Sequence, residues 1–519
     1  MSGAERLDRR GFVGLSLVAS AGLFAGPAFA ARSVPVAGRY HGLREGNVAS
    51  FKGIRYAVAS RFARPTPVPF EGEAISAHEF RPIAPQAGLQ EIPQSEDCLF
   101  LNVWTPEAES RARRPVMVYF HGGAYNSGTV TDPLTHGAVL AERGNVVVVT
   151  VNQRLNVFGY GWLAPFGERF ADSGNLGQLD LVCALQWVRA NIAAFGGDPA
   201  RVMVFGQSGG GAKIATLMAM PAADGLFQSA ATMSGQQVTA SGPGHALQRT
   251  RAFLKEVGVG ENDATRLLDL STEQLVAGLG ATDPILGGSL YFGPVLDMSN
   301  LPRHPFWPDA APQSLDIPMI LGNTAQETRA FIDPRGPVAT GLDWTNIADR
   351  LERHIKIDLP GDWVVAQYRR HFPDWSPAQL FYAATTAGRS WPGQVIEADE
   401  RAKAGAEKSW VYQLDRPSPI DPLRGAAHTD DIPYVFGTLD APGSYSGTDA
   451  RARAISTAMI RAFSGLARNG TPGLAGWTAY TLPDRDTLVI GEDAIRVVPD
   501  PRGWQRELWS RAPYIQPGS

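Results

Sequence analysis

Arg201-Val202-Met203-Val204-Phe205-Gly206-Gln207-Ser208-Gly209-Gly210 is the stretch on which the fold turns. A short run rich in Val and Met, of strand length, enters a tight turn, and residues 210–220 beyond it carry apolar side chains at helical spacing. Gly206 to Gly210 fits G-x-S-x-G, a pattern in which serine sits on a strained strand-to-helix turn. A glycine two residues away on either side lets neighbouring chain approach without a Cβ clash. The hydroxyl then projects at a helix N-terminus, where the positive dipole end favours a developing anion. A Gly-rich turn containing serine is often merely a turn; the strand before it and the helix after it set this one apart.

The same alternation extends outward. Residues 115–120, 145–151, 201–205 and 229–233 are apolar runs of strand length bounded by Gly, Pro or Asn, and suit strands buried on both faces. Segments of helical period lie between them, clearest at 176–194 and 210–220. The pattern predicts an α/β fold, a mostly parallel sheet with helices on both faces. Residues 317–322 and 409–414 read as later strands of that sheet. The intervals 241–315 and 335–407 are long, irregular and without a Ser/Gly linker, so they read as insertions covering one face.

Composition excludes several classes. The chain has 519 residues, 44% apolar and 19% charged, with 56 Gly, 39 Pro and 2 Cys; it is neither fibrous, disordered nor a disulfide-stapled miniprotein. Length alone suggests two to four domains. Net charge is −4 and no block of like charges could track a phosphate backbone, so nucleic acid is not an expected partner. Residues 1–30 read as an address: Arg9-Arg10, an apolar run, Pro27 and then Ala28-Phe29-Ala30 resemble a twin-arginine export signal. An uncleaved anchor is the alternative, but the A-x-A pattern and Pro27 favour cleavage near Ala30 or Ala31. The expected product is exported, periplasmic or secreted, as one domain over residues 31–519 without stable membrane insertion. Cys98 follows an acidic segment and Cys183 lies at helical spacing with Leu181, Ala184, Leu185 and Val188, so both read as free thiols.

A second chemical element is His121-Gly122-Gly123-Ala124-Tyr125, directly after the 115–120 run. Small residues there allow backbone N–H groups to face a cavity and hold a tetrahedral oxyanion; the candidate donors are the amides of Gly123, Ala124 and Gly209. Alone, the segment could be a Gly turn ending a strand. The serine turn downstream, separated from it by strand–helix units, makes the oxyanion reading the stronger one.

Together with Phe51-Lys52-Gly53-Ile54-Arg55-Tyr56-Ala57, Ser95-Glu96-Asp97-Cys98-Leu99-Phe100-Leu101-Asn102-Val103 and Phe195-Gly196-Gly197-Asp198-Pro199, these motifs resemble the type-B carboxylesterase and cholinesterase family of α/β-hydrolases. The resemblance implies a Ser/Glu/His triad in that order. Glu327, in Gly322-Asn323-Thr324-Ala325-Gln326-Glu327, matches the family's acid loop, and His428, in Gly425-Ala426-Ala427-His428-Thr429-Asp430-Asp431, matches its histidine loop. His41, His78, His136, His245, His304, His354 and His371 read as surface or packing residues. Ser234 matches a position that supports the acid by a hydrogen bond, though a serine ending a strand is nearly as good a reading.

The chain departs from the family at Gln207, where Glu is usual, at Gly209, where Ala is usual, and at Thr429, where Gly is commoner. A neutral Gln207 and the lack of Trp in 58–94 argue against a cationic substrate and towards a neutral ester. The expectation is a carboxylic ester hydrolase acting on a small-molecule ester through a Ser208 acyl-enzyme. The same triad could cleave an amide, carbamate or lactone, and a non-catalytic binding module is the remaining alternative. Tyr125, Phe158, Phe292 and Trp391 are candidate wall residues, although aromatics in such segments are more often core. No metal-ligand constellation and no nucleotide-binding Gly loop occur in the sequence, so neither metal nor cofactor is expected.

Overall fold

The structure, a computed structural model, describes residues 33–34, 38–106, 108, 111–355, 357–516 and 518. The export signal read at residues 1–30 lies outside them. Eleven strands build the central sheet: β1 (Tyr40–Glu45), β2 (Val48–Arg55), β3 (Phe100–Thr105), β4 (Arg114–Phe120), β5 (Val147–Val151), β6 (Gly197–Gln207), β7 (Ser229–Met233), β8 (Met319–Thr324), β9 (Ser409–Leu414), β10 (Asp486–Ile490) and β11 (Ile495–Pro499). Their spatial order is β1-β2-β3-β5-β4-β6-β7-β8-β9-β10-β11, and the short strands Ser33–Val34 and Ile75–Ser76 pair with β1. From β5 to β10 every neighbouring pair is parallel; the flanks, β1 to β3 and β11, are antiparallel. The mostly parallel sheet expected from the sequence is therefore present, with antiparallel edges added.

Strand period sorts the core. Val116, Val118 and Phe120 of β4 join the cluster shared with α1 (Leu176–Asn191), while Met117 and Tyr119 join the opposite cluster with α7 (Ala450–Asn469). The central parallel strands, such as β5, β7 and β9, are buried along their whole length, which is why their sequences are mostly apolar runs. Strand β5 starts at Val147 because Asn145 takes a left-handed conformation and closes the helix Ala138–Gly144. The serine helix, α2, runs Gly209–Leu217.

The two insertions carry α3 (Pro243–Glu256) and then α4 (Gly361–His371), α5 (Pro377–Ala387) and α6 (Trp391–Lys403). The later insertion has a core of its own, in which Ile347, Leu351, Val364, Tyr368, Leu380 and Phe381 pack with Leu508 and Trp509 near the C-terminus. No helix among the described residues is long and apolar enough to cross a membrane. Cys98 and Cys183 are free and buried, as expected.

Candidate active site

Ser208 stands at the end of β6 and the start of α2 with φ 55° and ψ −123°, a conformation that costs on the order of 1–3 kcal/mol. The surroundings hold it there. A Cβ at Gly210 would lie 1.9 Å from the Phe120 carbonyl oxygen, and one at Gly235 would lie 1.9 Å from the Ser208 carbonyl oxygen. Only glycine allows β4, β6 and the loop after β7 to converge so closely. The Ser208 amide donates to the Met233 carbonyl at 2.7 Å, tying the turn to the neighbouring strand.

The 121–125 loop follows β4 and lies against this turn. Gly123 has φ 82° and Ala124 φ 55°, and a Cβ at Gly209 would sit 2.1 Å from the Ala124 carbonyl oxygen. The three candidate oxyanion donors are thus brought together, with glycine at 209 leaving room for the Ala124 peptide. On the far side of the loop, the Gly122 carbonyl accepts from His121 Nδ1 at 2.9 Å and the Gly123 carbonyl accepts from the amides of Asn126 and Ser127. These carbonyls share their peptides with the Gly123 and Ala124 N–H groups, so each candidate donor is polarised by its own partner. Burial, with the Lys213 charge adding to it, pulls His121 down to about 3. It is therefore neutral, and Nε2 is free to accept from the Gln153 amide at 3.0 Å.

His428 and Glu327 meet at the C-terminal ends of β8 and β9. Glu327 Oε2 accepts from His428 Nδ1 at 2.5 Å, and Oε1 accepts from Ser234 Oγ at 2.6 Å and the Thr324 amide at 2.7 Å. Burial alone would raise this carboxyl; the imidazole and these donors outweigh it and hold Glu327 below its ordinary range. Nε2 lies on the other edge of the ring from this carboxylate contact. It pairs with the Gln207 side-chain amide at 3.1 Å, whereas no hydrogen bond joins His428 to Ser208 in this state. The sequence places Gln207 beside Ser208; the structure puts its carboxamide against the His428 imidazole.

Several neighbours escaped the sequence reading. Phe331 packs on the His428 ring at 4.8 Å, and the Arg389 guanidinium lies 4.4 Å over Phe331. Both come from irregular segments whose spacing carries no signal. Lys213, fully buried in α2, donates to the carbonyls of Ala124 at 2.6 Å and His121 at 3.2 Å. A charged residue in an apolar helix one turn beyond the serine was a signal that could have been noticed. Conversely, Tyr125, Phe158, Phe292 and Trp391 are all buried: Phe158 stacks on Phe62, Phe292 meets Phe253 edge-on, and Trp391 lies beneath Arg502. Their contacts are those of packing residues.

The sequence model described as "Carboxylesterase family" matches residues 27–502. The chain belongs to that family. The para-nitrobenzyl esterase of Bacillus subtilis is 33% identical over 491 residues, covering 91% of this chain and 96% of its own. The phenmedipham hydrolase of Pseudarthrobacter oxydans is 30% identical, covering 87% and 88%. A crystal structure of a Geobacillus stearothermophilus carboxylesterase superposes with a TM-score of 0.80 at 34% identity, covering 91% of this chain and 99% of that one. The fold is that of the α/β-hydrolase carboxylesterases, and this carboxylesterase is a carboxylic ester hydrolase.

Proposed function

We propose that the enzyme hydrolyses neutral carboxylic esters through an acyl-enzyme on Ser208. The observation that carries this reading is the convergence of a serine on a strained turn at a helix N-terminus with a buried His428–Glu327 pair and the Gly123, Ala124 and Gly209 amides. In this mechanism His428 exchanges its Gln207 contact for the Ser208 hydroxyl as substrate enters, a tightening common between resting and substrate-bound sites. Nε2 takes the proton as Oγ attacks the carbonyl carbon. Glu327 holds the imidazole in the required tautomer and stabilises the imidazolium, with Ser234 and Thr324 fixing the carboxylate. The three amides receive the oxyanion. His428 returns the proton to the departing alcohol, and water then repeats the sequence to release the acid.

Preference for an uncharged ester is supported by Gln207, which brings no negative charge to the imidazole, and by Arg389, whose cation near Phe331 disfavours a cationic substrate group. The motifs at 1–30 support export to the periplasm or beyond, with residues 31–519 acting as one hydrolase domain. Replacing Ser208 by Ala tests the core of the proposal. Hydrolysis of a short-chain aryl ester should fall by on the order of 10⁶. Persistence near the wild-type rate in the purified variant would remove Ser208 from the mechanism.

A further inference from the structure

Lys213 is 0% exposed, on a helix whose neighbouring residues Ala212, Ile214, Ala215 and Leu217 are all buried. Lysine is almost never fully buried without a compensating partner, because desolvating its charge is costly. Burial pulls it down to about 7, with no carboxylate opposing that shift. Its partners are instead two main-chain carbonyls, Ala124 O at 2.6 Å and His121 O at 3.2 Å, both in the loop that carries the Gly123 and Ala124 amides.

That loop needs restraint. It turns through positive φ at both Gly123 and Ala124, and for alanine this conformation is unfavourable by about 1 kcal/mol or more. At the start of α2, the Gly209 backbone presses against Ala124. One turn further along the same helix, Nζ spans the two carbonyls and lies 5.3 Å from the Tyr125 ring, whose hydroxyl is tied to Gln237 and Thr216. The helix end of the strut is fixed as well, since the Lys213 carbonyl accepts from the Gln178 amide.

We propose that Lys213 is a positioning residue for oxyanion stabilisation: by clamping the carbonyls of His121 and Ala124, its Nζ sets the Gly123 and Ala124 amides at the geometry the tetrahedral intermediate requires. Both the ammonium and the amine supply two N–H donors, so the clamp survives deprotonation. The proposal rests on Ser208 being the nucleophile. It predicts a defect confined to states bearing an oxyanion, whereas a lysine that merely fills a buried niche would affect folding alone.

Lys213→Met keeps the stem and removes the donors. In the purified full-length variant, kcat for a short-chain p-nitrophenyl ester should fall by about 10²-fold, the scale of a 1 Å misplacement, with KM changed less than about threefold. Affinity for a trifluoromethyl ketone, whose serine adduct carries the oxyanion, should weaken in parallel, and Lys213→Arg should recover part of both. If kcat and ketone affinity stay within about threefold of wild type, Lys213 does not position the loop. Should the Met variant fail to fold, Lys213→Gln carries the same two outcomes, its amide being too short to span both carbonyls. A fluorophosphonate that labels the wild type at Ser208 separates the two readings: without labelling the acyl-enzyme itself falls, and with labelling an unaffected variant removes only Lys213.

Discussion

Replacing Gly209 by Ala should damage catalysis more than stability, although the added group is a single methyl. The new Cβ would lie 2.1 Å from the Ala124 carbonyl oxygen, 2.4 Å from its Cα and 2.5 Å from its carbonyl carbon, against the 3.4 Å at which ordinary contact begins. All three atoms are main chain, so no rotamer change relieves the overlap. The loop must withdraw by somewhat more than an ångström, taking the Ala124 amide with it and pulling on the carbonyl held by Lys213. A displacement of about 1 Å at a reacting centre costs about 10²-fold in rate, or roughly 2.7 kcal/mol in transition-state stabilisation.

The assay is steady-state hydrolysis of p-nitrophenyl butyrate, normalised by fluorophosphonate titration so that only intact serines are counted. Gly209→Ala should lower kcat by about 10²-fold, with KM changed little, because the ground-state ester carbonyl depends less on the amides than the oxyanion does. The double variant Gly209→Ala/Ala124→Gly should regain about tenfold or more, since a glycine at 124 gives the loop access to other backbone angles. If Gly209→Ala alone keeps kcat within about threefold at an unchanged thermal midpoint, Ala124 is not packed against residue 209, and its amide is not held where the reasoning needs it.

Gln207→Glu would set a carboxylate against His428 Nε2, favouring the imidazolium; the acid limb of kcat/KM should move upward by about 1–2 pH units, and an unmoved limb would show that side chain 207 does not face the imidazole. Thr429 has φ 79°, where a β-branched residue is strained, so Thr429→Gly should raise stability by about 1 kcal/mol after its own entropy cost; urea denaturation reading a loss instead would dismiss the strain. Both thiols are buried and burial pushes them upward, Cys183 to about 11, so Ellman's reagent should detect neither in the folded chain and both after denaturation.

The central sheet was legible because burial on both faces leaves a strand no solvent-exposed position and a mostly apolar run: 229–233 and 409–414 match Ser229–Met233 and Ser409–Leu414 without adjustment. The edges were not. Strand β11 has only half-buried and exposed residues, and its apolar run, broken by Arg496 and ended by Pro499, is too short to stand out. Helix α7 was overlooked despite a legible frame, with Asp449 capping its N-terminus, Gly470 left-handed beyond its end, and Ile455, Met459, Phe463 and Leu466 facing the sheet. At the site, the positions with local requirements were readable from one stretch, since a strained turn demands glycines at fixed offsets. Phe331, just beyond Glu327, packs on the imidazole and Arg389 reaches over Phe331 from the later insertion, and their placement depends on tertiary packing with no sequence period.

The departures from the family pattern are individually modest and physically linked. Glycine at 209 removes a methyl where the Ala124 backbone comes closest, so the small residue and the close approach belong together. The same close approach leaves the Ala124 carbonyl against α2, where Lys213 donates to it. Gln207 completes the arrangement: its Oε1 packs beside Gly122, so that a Cβ there would sit 3.1 Å away, while its amide nitrogen holds His428. One side chain therefore touches both the oxyanion loop and the imidazole. In the mechanism proposed above, entry of an ester that displaces this carboxamide from Nε2 frees that nitrogen for the Ser208 proton in the same movement, coupling substrate binding to assembly of the Ser208–His428 hydrogen bond.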